Sequence, residues 1–332
     1  AENDTMTLFA TDKDLAIEKK IDANVIVGGA FLVPGRIFGD YIRSVVNNGD
    51  EVSLEISEEN RLNISTAGSE CNIGTLDVED YPDSEEVGGD NYFAIQEMNL
   101  KAAIDNVLFS VATDDSRPML KGVYFEAKQY TLTTVATDGY RFAMSKKVLE
   151  EKCDGLTATV PSRSLGELSK LLSASENIVR VYLENNYLMV DLGTARLLTR
   201  LLAGQYIKYD NIVPREFVST LIVNKEVFEK SLSTASIMSR TDKNNLVVFD
   251  IEEYSMNISS TSQYGTAREN ITISLSGKDI RCAYNSKYIN DCLKVINADT
   301  IKMEFAQHNS CVITINDSDE VLYFILPVKQ VV

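Results

Sequence analysis

Histidine is nearly absent from this chain: His308 is the single one among 332 residues. A catalytic triad or a histidine-rich metal site is hard to build around it, so a surface or loop role within a strand-like stretch is expected. Cysteine is scarce as well. Cys71, Cys153, Cys282, Cys292 and Cys311 are odd in number and never closer than ten residues apart. Disulfide frameworks and zinc ribbons show tighter, paired spacings, which leaves buried free thiols in a reducing compartment as the expectation. No apolar run approaches the roughly 20 residues of a membrane helix, and no basic-then-apolar leader with a small-residue cleavage site is seen. The expected location is the cytoplasm.

Positive charge is in deficit, with 32 Lys and Arg against 49 Asp and Glu and a net charge of −17. A whole-surface nucleic-acid binder would repel phosphate at that balance, so any such contact has to be a local basic patch. Phosphate-cradling loops are missing too: neither GxxxxGK[ST] nor GxGxxG after a strand occurs. The carboxylate runs EISEEN and LDVEDYPDSEE offer groups for acid–base work or magnesium, but acidic loops look the same and are far commoner. No catalytic residue, metal site or cofactor is assigned.

What is present is repetition. The apolar share of 44% and the charged share of 24% suit an ordinary globular protein, and the length predicts two or three domains. Three passages overlay: VPGRIFGDYIRSV from Val33, VPSRSLGELSKLL from Val160 and YNSKYINDCLKVI from Tyr284. Pro34, Pro161 and Asn285 share one place, and proline in a first turn or asparagine at a cap both read as a helix start. Leu165, Leu168 and Leu172 then form one core-facing stripe. A second landmark lies upstream of each helix, at Thr11, Thr137 and Thr261, with offsets of 126 and 124 residues against 127 and 124 for the helices. The Thr137, Asp138, Gly139 stretch, echoed at Thr11 and Asp12, reads as a structural turn rather than an active site. A third landmark matches NLKAAIDNVLFSVATDD from Asn99 with KEVFEKSLSTASIMSRTDK from Lys225 and has no counterpart in the first unit. The first unit is therefore expected to lack about 35 residues, a helix and a strand or so, relative to the others; Ala1 in place of an initiator methionine fits a processed or cut beginning.

Acidic, glycine-bearing or proline-bearing stretches at 83–91 and 213–219 set the boundaries. The domains expected are 1–88, 89–214 and 215–332, each intact one reading as strand, helix, several short alternating strands, helix and more strands. Antiparallel sheet with helices on one face gives an α+β class.

Each copy of the repeated helix carries basic residues at the same two places: Arg36 and Arg43, Arg163 and Lys170, Lys287 and Lys294. Seven residues is nearly two turns, so each pair lies on one helical face. A solvated surface explains any single copy; recurrence in three copies of an acidic chain points to phosphate contacts that are sequence-independent and salt-sensitive.

Ordered motifs carry a resemblance along the whole chain: SRPMLKGVYFE at 116–126, TVATDGYRFAM at 134–144, VPSRSLGEL at 160–168, LLAGQYIKYDNIVP at 201–214, YNSKYINDCL at 284–293 and YFILPVKQ at 323–330. Together they resemble the β subunit of bacterial DNA polymerase III, the sliding-clamp family. The resemblance implies three repeated clamp domains per chain, of which the repeat comparison leaves the first N-terminally truncated. A head-to-tail homodimer would form a ring around duplex DNA, with sheets outside and helices lining the inner face. It implies a non-catalytic processivity subunit, with the polymerase α subunit, the clamp loader and other proteins bearing a clamp-binding peptide as partners, and no membrane.

The family's peptide pocket carries over to Leu120, Thr137, Gly139, Tyr140, Arg141, Phe142, Ile207, Asn211 and Ile212, with Asn285, Tyr288, Ile325, Leu326, Pro327 and Val328 from the third domain and terminus. Arg117 joins the six helix cations as DNA-facing, and Ile237 and Met238 match an apolar pair at the dimer contact. The family often has proline at the place of Ile207 and arginine near Lys329, which leaves peptide preference open in detail. Two alternatives stand beside this reading: a truncated clamp acting only as a peptide-binding scaffold, and a carboxylate-and-metal enzyme.

Overall fold

The computed structural model describes residues 1–47, 50–57, 59–82, 87–240, 244–315 and 318–329; residues 83–86 of the first expected boundary stretch lie outside them. The chain divides into two compact units, one of Ala1–Val87 with Asp191–Leu198, the other of Gly88–Val190 with Thr199–Val332. Among the described residues there are five α-helices: α1 (Gly35–Val45), α2 (Glu97–Leu108), α3 (Ser162–Leu171), α4 (Lys225–Ser239) and α5 (Ser286–Val295).

In the first unit a hairpin pairs Thr5–Thr11 with Leu15–Asp22, and a three-stranded antiparallel sheet holds Ser53–Ile56, Arg61–Ser65 and Glu70–Gly74. Helix α1 lays Phe38, Tyr41 and Ile42 on the buried Leu62, Ile64 and Ile73. None of its own side chains is fully buried, so this helix is held by a thinner core than its counterparts. In α3, Leu165 and Leu168 are buried, and in α5, Ile289, Cys292 and Leu293, each full burial being worth about 1.5–3 kcal/mol for the large aliphatics.

All three repeated helices start where expected, with Pro34, Pro161 and Asn285 one residue outside the helix at the cap position. Proline is therefore not in the first turn. Its fixed φ suits the extended cap backbone, −60° at Pro34, and the cap N–H takes no part in the helical ladder. Asn285 instead uses its side chain, Oδ1 accepting from Lys287 N at 3.0 Å.

The second unit contains a seven-stranded antiparallel sheet in the order Ser274–Gly277, Ser219–Asn224, Thr300–Phe305, Cys311–Ile315, Ser318–Ile325, Arg141–Pro161, Gly122–Thr137. The central and C-terminal repeats thus share one sheet, through Val321–Ile325 paired with Arg141–Ser145. Short strands do fill the C-terminal repeat, in the four-stranded sheet of Leu246–Glu252, Ser255–Ser262, Gly265–Thr272 and Ile280–Asn285. The central repeat departs from the expectation: Gly122–Thr137 and Arg141–Pro161 are single strands of 16 and 21 residues. Their register shifts around Gln129, whose φ is +55°. Such bulges bend a long strand instead of ending it.

The α2 N-terminus is stitched to the segment after α3. Glu97 N donates to Asn177 O and Met98 N to Ser175 O, while Glu97 Oε1 and Oε2 accept from Ser173 N and Ser175 Oγ, both at 2.6 Å. Burial alone would push the Glu97 carboxyl up, but these hydrogen bonds together outweigh it and hold the group below the usual carboxylate range.

Four cysteines are buried and Cys71 is half-buried. Burial pushes the Cys282 thiol up to about 12, which makes it a core group rather than a nucleophile. His308 does not lie in a strand: it occupies a short turn, Gln307–Asn309, with φ +71°.

Candidate functional site

Helices α1, α3 and α5 have the same charge pattern. Each carries three charged side chains: Arg36, Asp40 and Arg43; Arg163, Glu167 and Lys170; Lys287, Asp291 and Lys294. At 3.6 residues per turn the three lie within an arc of about 60°, opposite the apolar stripe. All six cations are exposed. Arg43, Lys170 and Lys294 sit in the last turn, where the helix dipole favours a cation. Arg36, Arg163 and Lys287 sit in the first turn, where it does not. The helix dipole accounts for the first set and not for the second; in α1 the first-turn Arg36 lies 3.8 Å from Asp40, an exposed i,i+4 pair.

The other site is built on the turn that joins the two long strands. Thr137 Oγ1 donates to Arg141 O at 2.6 Å and accepts from Gly139 N at 3.0 Å, while Asp138 Oδ1 accepts from Tyr140 N at 2.9 Å and Arg141 N at 3.0 Å. The first unit repeats the same set at Thr11 and Asp12, with Leu15 in the place of Arg141. The Thr-Asp landmark is thus a structural turn. Its third residue has positive φ in both copies, +79° at Lys13 and +89° at Gly139. Lysine is tolerated in the first; in the second, Arg117 crosses so closely that a Cβ on Gly139 would lie 2.5 Å from Nη1, and a side chain there would have to push the guanidinium aside.

Arg141 specialises this turn. Its Nε donates to Asp138 Oδ2 at 3.1 Å, Nη1 to Asp291 Oδ2 at 2.8 Å and Nη2 to Phe109 O at 2.6 Å. The guanidinium also lies over the rings of Phe109 and Tyr288, 5.3 and 4.7 Å from their centroids. Only 7% of the residue is exposed, and each of its three nitrogens donates a hydrogen bond within the protein. It joins the central repeat to α5 of the C-terminal repeat. Lys146–Asp319, at 2.6 Å, and Lys147–Glu320 clamp the other end of the same strand pairing.

The remaining pocket residues sort by exposure. Leu120, Thr137, Phe142 and Ile325 are buried, and Leu120 and Phe142 pack in one cluster with Val135, Tyr206 and Phe324. Tyr140, Ile207 and Leu326 are 60%, 39% and 40% exposed, large apolar groups offered to solvent, and Asn211 is exposed beside them in sequence. Ile207, Asn211 and Ile212 follow a segment pinned by tyrosines: Tyr206 stacks on Tyr124 with centroids 5.2 Å apart, and Tyr209 OH donates to Glu126 Oε2 at 2.8 Å. Burial raises both phenols above their usual range, keeping them neutral donors. The terminal segment is tied in by Leu326 N to Tyr140 O at 3.0 Å and Val328 N to Ala283 O at 2.8 Å. Pro327 and Val328 also line a cavity of about 230 Å³ with Arg281, His308, Asn309 and Lys329. Asn285 spends its side-chain oxygen on the α5 cap, and Tyr288 lies under Arg141.

Models of the N-terminal, central and C-terminal domains of the DNA polymerase III beta subunit match residues 1–85, 94–208 and 210–329, in order. The chain belongs to the DNA polymerase III beta subunit family. Beta sliding clamps of Staphylococcus epidermidis and Staphylococcus aureus are 29% and 28% identical to it over 340 residues, covering 99% of this chain and 90% of theirs. Among solved structures, the DNA polymerase sliding clamp of Bacillus subtilis superposes with a TM-score of 0.89 at 25% identity, and the DNA polymerase III beta chain of Streptococcus pneumoniae with 0.88 at 26%. Each match covers 99% of this chain and 90% of that one. The N-terminal model reaches residue 1, so the shortening expected at the front of the first unit is not evident in the match to the beta subunit family.

Arg117, expected among the DNA-facing cations, is exposed and lies off the repeated helices; its Nη2 donates to Asp138 O at 2.7 Å, at the Thr137–Phe142 turn. Ile237 and Met238, expected at a dimer contact, sit near the end of α4, with Ile237 53% exposed and Met238 half-buried. Sequence reasoning missed Phe109, Asp138 and Asp291, the three partners of Arg141. Only Asp138 had a local signal, as the aspartate of the repeated turn.

Proposed function

We propose that this chain is a DNA sliding clamp, a processivity factor that encircles duplex DNA and holds the replicative polymerase to it. The observation that carries the reading is the thrice-repeated exposed cation in a first helical turn, on a chain whose overall charge repels DNA. It acts without catalysis. Two chains close head to tail, with α4 and its Ile237 and Met238 at the joint, and three clamp domains per chain, 1–88, 89–214 and 215–332, form the ring. The inner surface is lined by α1, α3 and α5, whose cations touch phosphate without reading bases, so the ring slides.

Partners dock by a short peptide in the pocket of the second unit. Tyr140, Ile207 and Leu326 take its apolar anchors, while the Thr137–Phe142 turn, held by Arg117 and Arg141, fixes the shape. The polymerase α subunit and the clamp loader share this pocket, and the work is done in the cytoplasm; among the described residues no helix is long and apolar enough to cross a membrane.

Primer extension by a bacterial replicative polymerase and its loader tests the proposal. Adding this chain lengthens the products, and a peptide competing for the pocket abolishes the gain. Products of unchanged length, with the chain and loader both active in binding, would overturn it.

A further inference from the structure

The repeated helices share an acid as well as their bases. Asp40, Glu167 and Asp291 occupy one repeat position, and each reaches the base three residues on: Asp40 to Arg43 at 2.6 Å, Glu167 to Lys170 at 2.9 Å, Asp291 to Lys294 at 3.6 Å. In α1 the acid also lies 3.8 Å from Arg36. Each helix therefore presents two positive charges and one negative on a single stripe, a net of one.

Stability alone does not explain the pattern. The last-turn base is already favoured by the dipole, and the pairs of α1 and α3 are open to water, with 60% and 42% of the acid side chains exposed, where such pairs add little. A stripe meant only to grip phosphate would omit the carboxylate, which repels phosphate and holds the neighbouring cation.

We propose that Asp40 and Glu167 are built-in competitors of DNA phosphate, each holding its base in an exchangeable pair so that the DNA grip stays loose enough to slide. Because the pair is intrahelical and exposed, a passing phosphate displaces the carboxylate and the carboxylate recaptures the cation when the phosphate moves on. Asp291 is only 16% exposed and its Oδ2 accepts from Arg141, so it stands outside the proposal and its test. The inference rests on the reading that these helices face DNA.

Two variants of the full chain separate the claims, Asp40→Asn with Glu167→Gln and Arg43→Ala with Lys170→Ala, each titrated with a short linear duplex across a range of salt. The acid-neutralised variant is expected to bind more tightly. Its slope of log K against log salt should steepen by about 0.9 for each phosphate newly engaged. The base-deleted variant is expected to bind more weakly with a shallower slope. If deleting the bases changes nothing, the placement of the helices on DNA is wrong and the inference goes with it. If deleting them weakens binding but neutralising the acids leaves affinity and slope at the parent value or below, the competitor role is overturned while the placement stands. Helix content measured by circular dichroism checks folding, and the single Asp40→Asn variant repeats the contrast if the double variant is unfolded.

Discussion

The charged stripe and the proposed peptide pocket are made in opposite ways. The stripe is written three times on exposed helix surface, and each copy needs only residues within one helix. The pocket is made once, from a turn whose first-unit copy has Leu15 where it has Arg141, and its key side chain depends on Asp291, 150 residues away. Repetition spreads a weak, tolerant interaction over many sites, whereas a single buried node concentrates specificity and fragility together.

Arg141 gives the sharpest way to break that contrast. Arg141→Ala strips a buried cation from the carboxylates of Asp138 and Asp291, and losing one partner of a buried pair costs about 3–5 kcal/mol. Denaturant unfolding should show a drop of that size; a drop under about 1 kcal/mol would mean the node is not buried in solution.

Next comes Glu97, the other buried charge of the central repeat. Its carboxyl lies below its usual value, so the stabilisation is complete above about pH 4.3, the unperturbed value, and is lost as pH falls through the lower folded value. Glu97→Gln should cost about 1.5–3 kcal/mol at neutral pH and flatten the acid limb of the pH–stability curve. An acid limb identical to the parent's would contradict the assignment.

A smaller effect is expected on the pocket rim. Tyr140→Ala with Leu326→Ala should weaken clamp-binding peptide by about tenfold, or about 1.4 kcal/mol, with the unfolding midpoint and the DNA salt slope held. A fall in DNA affinity of the same size would blur the separation of the two regions. Smallest of all is the effect of Arg43→Ala on folding: thermal melting should not move measurably, since the side chain is 74% exposed, while the DNA salt slope should become shallower.

The same difference decides what was legible in the sequence. Helix starts, basic pairs and the Thr-Asp turn were visible because a period of about 125 residues made each copy a check on the others. The acids at Asp40, Glu167 and Asp291 share that period, yet in so acidic a chain they do not stand out. The long central strands were hidden by the polar run Glu150–Gly155, which resembles a loop but belongs to a bulged strand. Arg117 and Arg141 have no equivalents in the other repeats, so no local pattern tells whether they touch DNA, peptide or the protein itself. Only tertiary structure brings Asp138, Asp291 and Phe109 to one guanidinium.

The central claim is topological, and loading the protein onto nicked circular DNA followed by cutting the circle tests it most directly. Retention on the closed circle and rapid release from the freed ends are the predicted result; retention that is the same before and after cutting would contradict a ring that slides.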